Sequence, residues 1–322
     1  MQLEPATRND LIELIAANFK TAEVNELGRL VLGCFDSNEV AGKRNHISLS
    51  AHKCAGLLVN ECDRGGQIES LIKLVVELDE SSVQGRCVQV EGLEEFLGRL
   101  VRAGLHYDFK TGAVVPLRSD PHDLPNWGCL KGGREYDITI ASIDIVGNSE
   151  KTRRLGVKRT EKMVYTLWNF VREKLQAVDG RIWSWAGDGG IIAFTMKDHP
   201  ARAVRFAIEV QSTVPVFNIA TSGSPSSDVA LRIGIDTGRM KFAIDTGTIV
   251  SDIINYAAHL EKMSTRPGTI SVSRAVVEEL PPRMASIFRF GGIFEEKDYF
   301  RTLRRLDSLL CEDPEDDQER FA

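Results

Sequence analysis

Two aspartates in glycine-containing segments are the residues of this chain best suited to metal-assisted chemistry. Asp144 follows an apolar run within Ser142–Ser149, and Asp188 lies in the Gly187–Gly190 turn between two apolar runs. They are 188 − 144 = 44 residues apart, and a helical pattern over 158–178 lies between them. A strand–helix–strand path can return the second carboxylate beside the first. Paired carboxylates are typical ligands of magnesium or manganese in sites that also bind phosphate.

Each aspartate also has an ordinary structural interpretation. Asp144, at the end of a strand, is suited to capping a helix. The Gly-Asp-Gly-Gly sequence around Asp188 is typical of a hairpin turn. The residues at 147–149 can simply cap the next helix, or their backbone amides can bind phosphate at its start. The two aspartates therefore need elements that bring them together before a metal site follows.

Hydrophobic periodicity divides the chain of 322 residues into two main parts. Residues 1–111 carry apolar residues at helical spacing and predict a small all-α bundle of regulatory or adaptor-like character, with the third helix capped by Ser48 or Ser50. Residues 112–135 contain prolines and glycines with little periodicity and predict a linker. Residues 136–306 predict an α+β sheet with helices on one face, and residues 307–322 predict a solvated acidic tail.

The second part alternates between strand and helix patterns. Its predicted strands are a first one from Tyr136, then 181–186, 191–195, 229–235, 239–244, 269–272, 286–290 and 297–303. Its predicted helices are 158–178, 200–213, 251–263 and 274–279. This order places Asp144 and Asp188 at strand ends, as the proposed metal site requires.

Composition excludes several classes of function. The net charge of −6 argues against a nucleic-acid groove. No apolar run approaches the roughly 18 residues of a membrane span, and the first residues lack the pattern of a signal peptide. The six cysteines are scattered without a CxxC pair, which indicates neither a zinc site nor disulfides and fits a reduced cytoplasm. Phosphate-binding GxxxxGK and GxGxxG loops and an HExxH metal motif are also absent from the sequence.

Five segments of the second part resemble, in type and order, those of the class III nucleotidyl cyclases. They are the two aspartate segments and then Leu231–Arg239, Ile254–Glu261 and Arg266–Ser273. The resemblance covers about residues 136–305. It implies the class III cyclase sheet, a homodimer with composite active sites, and two Mn²⁺ or Mg²⁺ ions per site. The metals would be bound by the carboxylates of Asp144 and Asp188 and by the backbone carbonyl oxygen of Ile145.

The resemblance also implies roles for other residues. Asn255 would orient the ribose, and His259 stands where the family has a transition-state arginine, although a histidine donates a charge-assisted hydrogen bond only when protonated. Arg239 matches a phosphate-contacting arginine that would come from the same chain as the metal ligands. Arg289 matches a triphosphate-binding lysine of the other chain, and each arginine has the alternative of a solvated strand-edge charge. Phosphate would also contact the backbone amides of Gly147, Asn148 and Ser149.

Base recognition departs from the purine cyclases. They carry a lysine four residues before the second metal aspartate and an aspartate seven residues before the asparagine, whereas this chain has Ser184 and Thr248. Trp183 and Trp185 flank Ser184, and strand alternation predicts that both point to the opposite face, into the core. The chain thus looks like the pyrimidine cyclases of Pycsar antiphage systems. That resemblance implies conversion of UTP or CTP to the 3′,5′-cyclic monophosphate, which activates a separate effector.

Two alternatives stay open. One is an adenylyl or guanylyl cyclase, against which the missing lysine and aspartate count. The other is a cyclase-like module that binds nucleotide or partners without turnover. The histidine at 259 favours this second alternative, whereas retention of Asp144, Asp188 and Asn255 counts against it. Identification of the cyclic product distinguishes a purine cyclase from a pyrimidine cyclase. Detection of any turnover distinguishes a cyclase from a binding module.

Overall fold

The computed structural model describes residues 3–42, 49–79, 81–83, 86–221 and 228–307. Contacts within the chain divide it into two compact units, Met1–Lys131 and Gly132–Ala322. Residues 308–322 of the predicted acidic tail lie outside the described residues, as does Ser48, one of the two predicted helix caps. Among the residues described, no helix combines the length and apolar character needed to cross a membrane.

The N-terminal unit confirms the predicted helical region. Its helices bury one apolar face each, as in α6, where Leu93, Phe96, Leu97 and Leu100 are buried. Ser50 caps α4 by accepting a hydrogen bond from the backbone N–H of Lys53 at 3.3 Å. The helices are α1 Pro5–Asn18, α2 Thr21–Leu32, α3 Ser37–Val40, α4 Ala51–Arg64, α5 Ile68–Leu78 and α6 Leu93–Arg102.

The segment predicted as a linker, 112–135, instead contains a strand and buried side chains. Two hairpins complete the first unit, β1 Ser82–Val83 with β2 Arg86–Cys87 and β3 Leu105–Asp108 with β4 Ala113–Pro116. Val114 is buried opposite Tyr107, and Trp127, Cys129 and Leu130 are buried beyond the hairpin. The side chain of Asp108 accepts hydrogen bonds from Lys110 and Thr111, which stabilises the turn. Glycine and proline mark turns of this unit, which extends to Lys131 rather than to 111.

The second unit is built on a seven-stranded mixed sheet with the order β10-β11-β9-β8-β5-β7-β6. Only the β8–β9 pair is parallel. The strands predicted at 229–235 and 239–244 form one continuous strand, because β8 pairs with β5 along its whole length. The strands are β5 Glu135–Ile145, β6 Arg181–Ala186, β7 Gly189–Phe194, β8 Leu231–Lys241, β9 Ile270–Ser273, β10 Phe288–Phe294 and β11 Lys297–Thr302.

Helices pack on this sheet, and α8, α9 and α11 cover one face as predicted. Side chains of these helices form a continuous core with Ile143 and Ile233 of the central strands. Helix α10 crosses the other face, where a Cβ atom on Gly234 would lie 2.4 Å from the carbonyl oxygen of Ala257. The absence of a side chain at Gly234 thus lets α10 approach β8 closely. The helices are α7 Asn148–Leu155, α8 Val157–Gln176, α9 His199–Thr221, α10 Asp252–Ser264, α11 Arg274–Glu279 and α12 Pro282–Ala285.

Candidate active site

The structure brings Asp144 and Asp188 together at one end of the central strands. Asp144 lies opposite Gly189 of β7, the residue that follows Asp188. The backbone N–H of Ile145 donates to the carbonyl oxygen of Asp188 at 3.3 Å. The charge of Asp188 is close enough to contribute to a raised pKa of Asp144. The two carboxylates predicted to share a site are therefore neighbours within one chain.

The backbone of β7 approaches Asp144 closely at Gly189. A Cβ atom on Gly189 would lie 2.6 Å from the carbonyl oxygen of Ile143 and 3.2 Å from a carboxylate oxygen of Asp144. Glycine therefore keeps this position free of a side chain. Among the described residues no group of three or more His, Cys, Asp or Glu side chains could hold a metal ion. A pair of carboxylates fits Mg²⁺ or Mn²⁺, because Mg²⁺ sites often take their remaining ligands from water and substrate phosphates.

An arginine that was not predicted as a site residue lies directly on Asp144. Arg232 of β8 is the register partner of Asp144, and its Nη2 donates to the Oδ2 of Asp144 at 2.7 Å. Its Nε lies 2.9 Å from the Oε1 of Glu261, on α10, without the geometry of a hydrogen bond. Glu261 is only 5 % exposed. The site thus contains a chain of charges from α10 through Arg232 to Asp144.

Acidic groups outnumber basic ones in this cluster. Burial raises the pKa of Asp144; the hydrogen bond from Arg232 opposes this, and the charge of Asp188 adds to it. Burial raises the pKa of Glu261 to about 7, with a further contribution from the charge of Asp144 and opposition from Arg232. Arg232 contacts Asp144 and Glu261, and the charge of Asp188 acts on Asp144, so one guanidinium is set against three carboxyl groups. Such an excess of negative charge favours binding of a divalent cation.

The pKa of Glu261 predicts that stability depends on pH in the metal-free protein. A glutamate in an unfolded chain has a pKa of about 4.3, so between that pH and about 7 the folded chain binds a proton that the unfolded chain lacks. We expect the contribution of Glu261 to the free energy of unfolding to be highest below about pH 4. It should fall by on the order of 4 kcal/mol, mostly between pH 4 and pH 7, and level off above about 7.

Glu261→Gln should flatten this dependence, because glutamine does not titrate. Urea unfolding in EDTA at pH 5, 6, 7 and 8 measures it. Asp137→Asn is the control, because it removes an exposed carboxyl group seven residues before Asp144 on β5, and it should leave the slope between pH 6 and 7 in place. An unchanged slope in Glu261→Gln would contradict the assignment.

Helix α7 begins directly after the Asp144 strand, with exposed backbone amides. Gly147 has φ +67°, and no side chain caps the first turn. The side-chain oxygen of Asn148 is buried without a hydrogen-bond partner. The structure therefore shows no side-chain cap from residues 147–149 at the start of this helix. Free amides at a helix start bind anions such as phosphate.

Asn255 and His259 form a separate group on α10. Both are exposed and lie one turn apart on the same helix face. The Nδ1 of His259 lies 2.7 Å from the Oε1 of Glu295, in the turn between β10 and β11. Arg289 is exposed on the edge strand β10, and its guanidinium donates to the carbonyl oxygen of Ser286 at 2.9 Å. The described residues show no hydrogen bond or ion pair between this group and Asp144.

The structure does not place Arg239 with the metal ligands of its own chain. Arg239 lies opposite Asp137 on β5, and its Nε is 3.4 Å from a carboxylate oxygen of Glu135. It is seven residues along β8 from Arg232, a separation of about 23 Å in a strand. The described residues thus show no ion pair between Arg239 and the two aspartates, and the phosphate contact of Arg239 stays a prediction. The arginine at the carboxylates is Arg232, from the same sequence segment.

The two predicted base-reading positions lie on neighbouring elements. Thr248 ends a 3₁₀ helix, Thr246–Thr248, that packs on β6 beside Ser184, and the Oγ1 of Thr246 donates to the carbonyl oxygen of Trp183 at 2.8 Å. A bulge between Ile182 and Ser184 interrupts the alternation of β6. Trp183 contacts Phe242, whereas Trp185 packs on the α8–α9 core. The prediction that both tryptophans share one face is wrong, because it assumed a regular strand.

Comparisons with known proteins gave matches only among solved structures, since neither family models nor curated proteins match the sequence. The guanylyl cyclase domain of the RhoGC fusion protein from the aquatic fungus Blastocladiella emersonii is 19% identical, with a TM-score of 0.47, over 54% of this chain and 99% of that chain. The adenylyl cyclase CyaB from P. aeruginosa is 18% identical, with a TM-score of 0.44, over 52% and 94%. Each similarity extends over about half of this chain.

Proposed function

We propose that this chain is a nucleotidyl cyclase that converts UTP or CTP to the 3′,5′-cyclic monophosphate and pyrophosphate. The observation that carries the proposal is the pairing of Asp144 and Asp188 beside the uncapped start of α7. Carboxylates that suit a divalent cation and free amides that suit phosphate then lie at one strand end. A nucleoside triphosphate with its cation fits this combination.

Asp144 and Asp188 would hold the divalent cations, with the carbonyl oxygen of Ile145 as a further ligand. When bound, Mg²⁺ or Mn²⁺ would supply Lewis-acid stabilisation of the attacking and leaving oxygens. Arg232 holds the carboxylate of Asp144 in place at 2.7 Å. The amides at the start of α7 would bind phosphate oxygens and fix the position of the triphosphate.

The reaction is an intramolecular phosphoryl transfer. The ribose 3′ oxygen forms a bond to the α-phosphorus, the bond from that phosphorus to the bridging oxygen breaks, pyrophosphate leaves, and the hydroxyl proton passes to solvent. Asn255 would orient the ribose by hydrogen bonds. His259, held by Glu295 at 2.7 Å, would donate a hydrogen bond to the phosphate when protonated. These residues bind and orient, and no covalent intermediate with the protein forms.

A homodimer would bring the two groups of residues together. Within one chain, Asn255 and His259 lie on an exposed helix face, and the described residues show no hydrogen bond or ion pair from either one to Asp144. Exposed apolar side chains lie near the base-reading segment, with Ile244 64% and Val250 85% exposed. Burial of such residues in an interface is favourable. Asn255, His259, Ser184, Thr248 and Arg289 of one copy would then face the Asp144–Asp188 pair of the other.

We expect a preference for UTP over ATP and GTP. Ser184 and Thr248 present short hydroxyls, which both donate and accept hydrogen bonds and can match the two carbonyls and the N–H of uracil. Two hydroxyls separate uracil from cytosine less sharply, since neither has a fixed donor role. Incubation of the full chain with each nucleoside triphosphate and Mn²⁺, followed by product identification, measures the preference.

Asp144→Ala is the control for contaminating activity in this assay. Chiefly cyclic AMP or cyclic GMP would contradict the pyrimidine assignment and favour a purine cyclase. Saturable nucleotide binding with no cyclic product at any pH between 6 and 9 would favour a binding module. We further propose that a cyclic pyrimidine product activates a separate antiphage effector, as in the systems that the sequence resembles. A pyrimidine product in this assay is the first requirement of that proposal.

A further inference from the structure

A concentrated patch of positive charge follows the phosphate site. Between residues 151 and 162 the chain carries six basic side chains, here called the basic segment: Lys151, Arg153, Arg154, Lys158, Arg159 and Lys162. They lie on α7 and the first turns of α8, and five of the six are exposed. None forms an ion pair with a described carboxylate. In a chain of net charge −6, such a patch attracts an acidic partner.

The described chain ends at the same end of the sheet where the basic segment begins. The backbone N–H of Leu306 donates to Gly268 at 2.8 Å, and that of Gly268 donates to Leu231 at 2.9 Å. Leu231 is the register partner of Ile145, three residues before α7. Since hydrogen-bonded segments lie about 5 Å apart, Leu306 is within about 15 Å of Ile145.

The residues that follow are strongly acidic. Residues 312–319 contain Glu312, Asp313, Glu315, Asp316, Asp317 and Glu319 and no basic residue. Four residues lie between Asp307 and Glu312, and these five steps can span about 17 Å when extended. The eight residues of the acidic stretch can then extend about 26 Å. The basic segment is divided between two helices that meet at Gly156, with at most about 9 Å of helix on either side. The acidic stretch therefore carries as many charges as the basic segment and is long enough to reach both helices.

We propose that the acidic stretch 312–319 binds the basic segment 151–162 of its own chain. Attachment close to the patch gives the stretch an effective concentration in the millimolar range, which favours it over free anions. The contact is electrostatic and exposed, so it should weaken with salt.

The contact can be tested by binding, without any assay of turnover. In a full-length neutral-tail variant, all six acids of the stretch are replaced by Gln or Asn. A fluorescent peptide of residues 308–322 should bind this variant at least tenfold more tightly than it binds the wild-type chain, whose basic segment is already covered. A peptide with the six acids neutralised is the matched control. Equal binding of the acidic peptide to both proteins, or equal binding of the neutral peptide, would overturn the proposal.

Charge reversal and cross-linking identify the surface and the chain. Lys158→Glu with Arg159→Glu and Lys162→Glu in the neutral-tail variant should reduce acidic-peptide binding at least tenfold, and unchanged binding would overturn the assignment of the basic segment. In the wild-type chain, a zero-length carboxyl–amine cross-linker should join 312–319 to Lys158 or Lys162 at low salt. If cross-links between isotope-labelled and unlabelled chains are as frequent as same-label cross-links in an equimolar, exchanged sample, the stretch lies on a second copy and a contact within one chain is refuted.

Discussion

Asp144→Ala and Asp188→Ala should each lower nucleotide cyclisation by about a thousandfold or more, because each removes a ligand from the group that stabilises the transition-state charge. Glu261 is not expected to replace either one, since it is buried and adjacent to Arg232. The fold should persist. Asp144 has a pKa raised by burial, so loss of its charge removes an unfavourable buried anion as well as an ion pair.

The matched control for this prediction lies on the same strand. Asp137 is exposed on β5, seven residues before Asp144 and at the opposite end of the sheet. Asp137→Ala should retain cyclisation within about twofold, as expected for an exposed side chain away from the site. Turnover with UTP and Mn²⁺, together with the thermal unfolding midpoint, measures both effects. Near-normal turnover in either Asp144→Ala or Asp188→Ala would contradict the metal assignment.

Local sequence signals were sufficient for much of the second unit. The prediction of a helix at 274–279 is confirmed by α11, where Ser273 caps the helix through the backbone N–H of Val276. The apolar run before Asp144 and the glycines around Asp188 each specify a short element from neighbouring residues alone. The pairing of the two aspartates then follows from the antiparallel register of β5 and β7.

Contacts between distant residues were the part that sequence could not supply. Arg232 and Glu261 interact because α10 crosses β8 above Gly234, and neither residue carries a local pattern that indicates this. Nor does the sequence indicate that Arg232, rather than Arg239, contacts Asp144. Both arginines occur in one segment, and only the register of β8 against β5 shows which one lies opposite Asp144. The pairing could be predicted only from the register of the two antiparallel strands, because the register of β8 against β5 places Arg232 opposite Asp144.

The first unit shows a different limit. Prolines and glycines in 112–135 were interpreted as a linker, although the same residues form turns around β4 and a buried Trp127. Turn residues indicate that the chain changes direction, and they do not indicate whether the segment between them is packed. Buried apolar residues at isolated positions, such as Val114 and Leu130, give too short a periodic signal to distinguish the two cases.

Mixing two inactive variants should restore activity if the active site is shared between two chains. Asp144→Ala disables the carboxylate side, and Asn255→Ala disables the ribose side on exposed α10. Each heterodimer would contain one site with both defects and one intact site. Random exchange of equal amounts gives half heterodimers, so about a quarter of the wild-type activity should return. The activity of the mixture, measured after subunit exchange is confirmed with differently tagged chains, tests this.

The control mixture uses two variants that affect the same side. Asp144→Ala mixed with Asp188→Ala should stay inactive, because the two aspartates lie beside each other in one chain and every heterodimer site then lacks a metal ligand. Recovery in this control would show that the carboxylates act in different sites. No recovery for Asp144→Ala with Asn255→Ala, despite confirmed exchange, would mean that each chain contains a complete site. That result would require Asn255 to approach the carboxylates of its own chain, since the described residues show no hydrogen bond between Asn255 and Asp144.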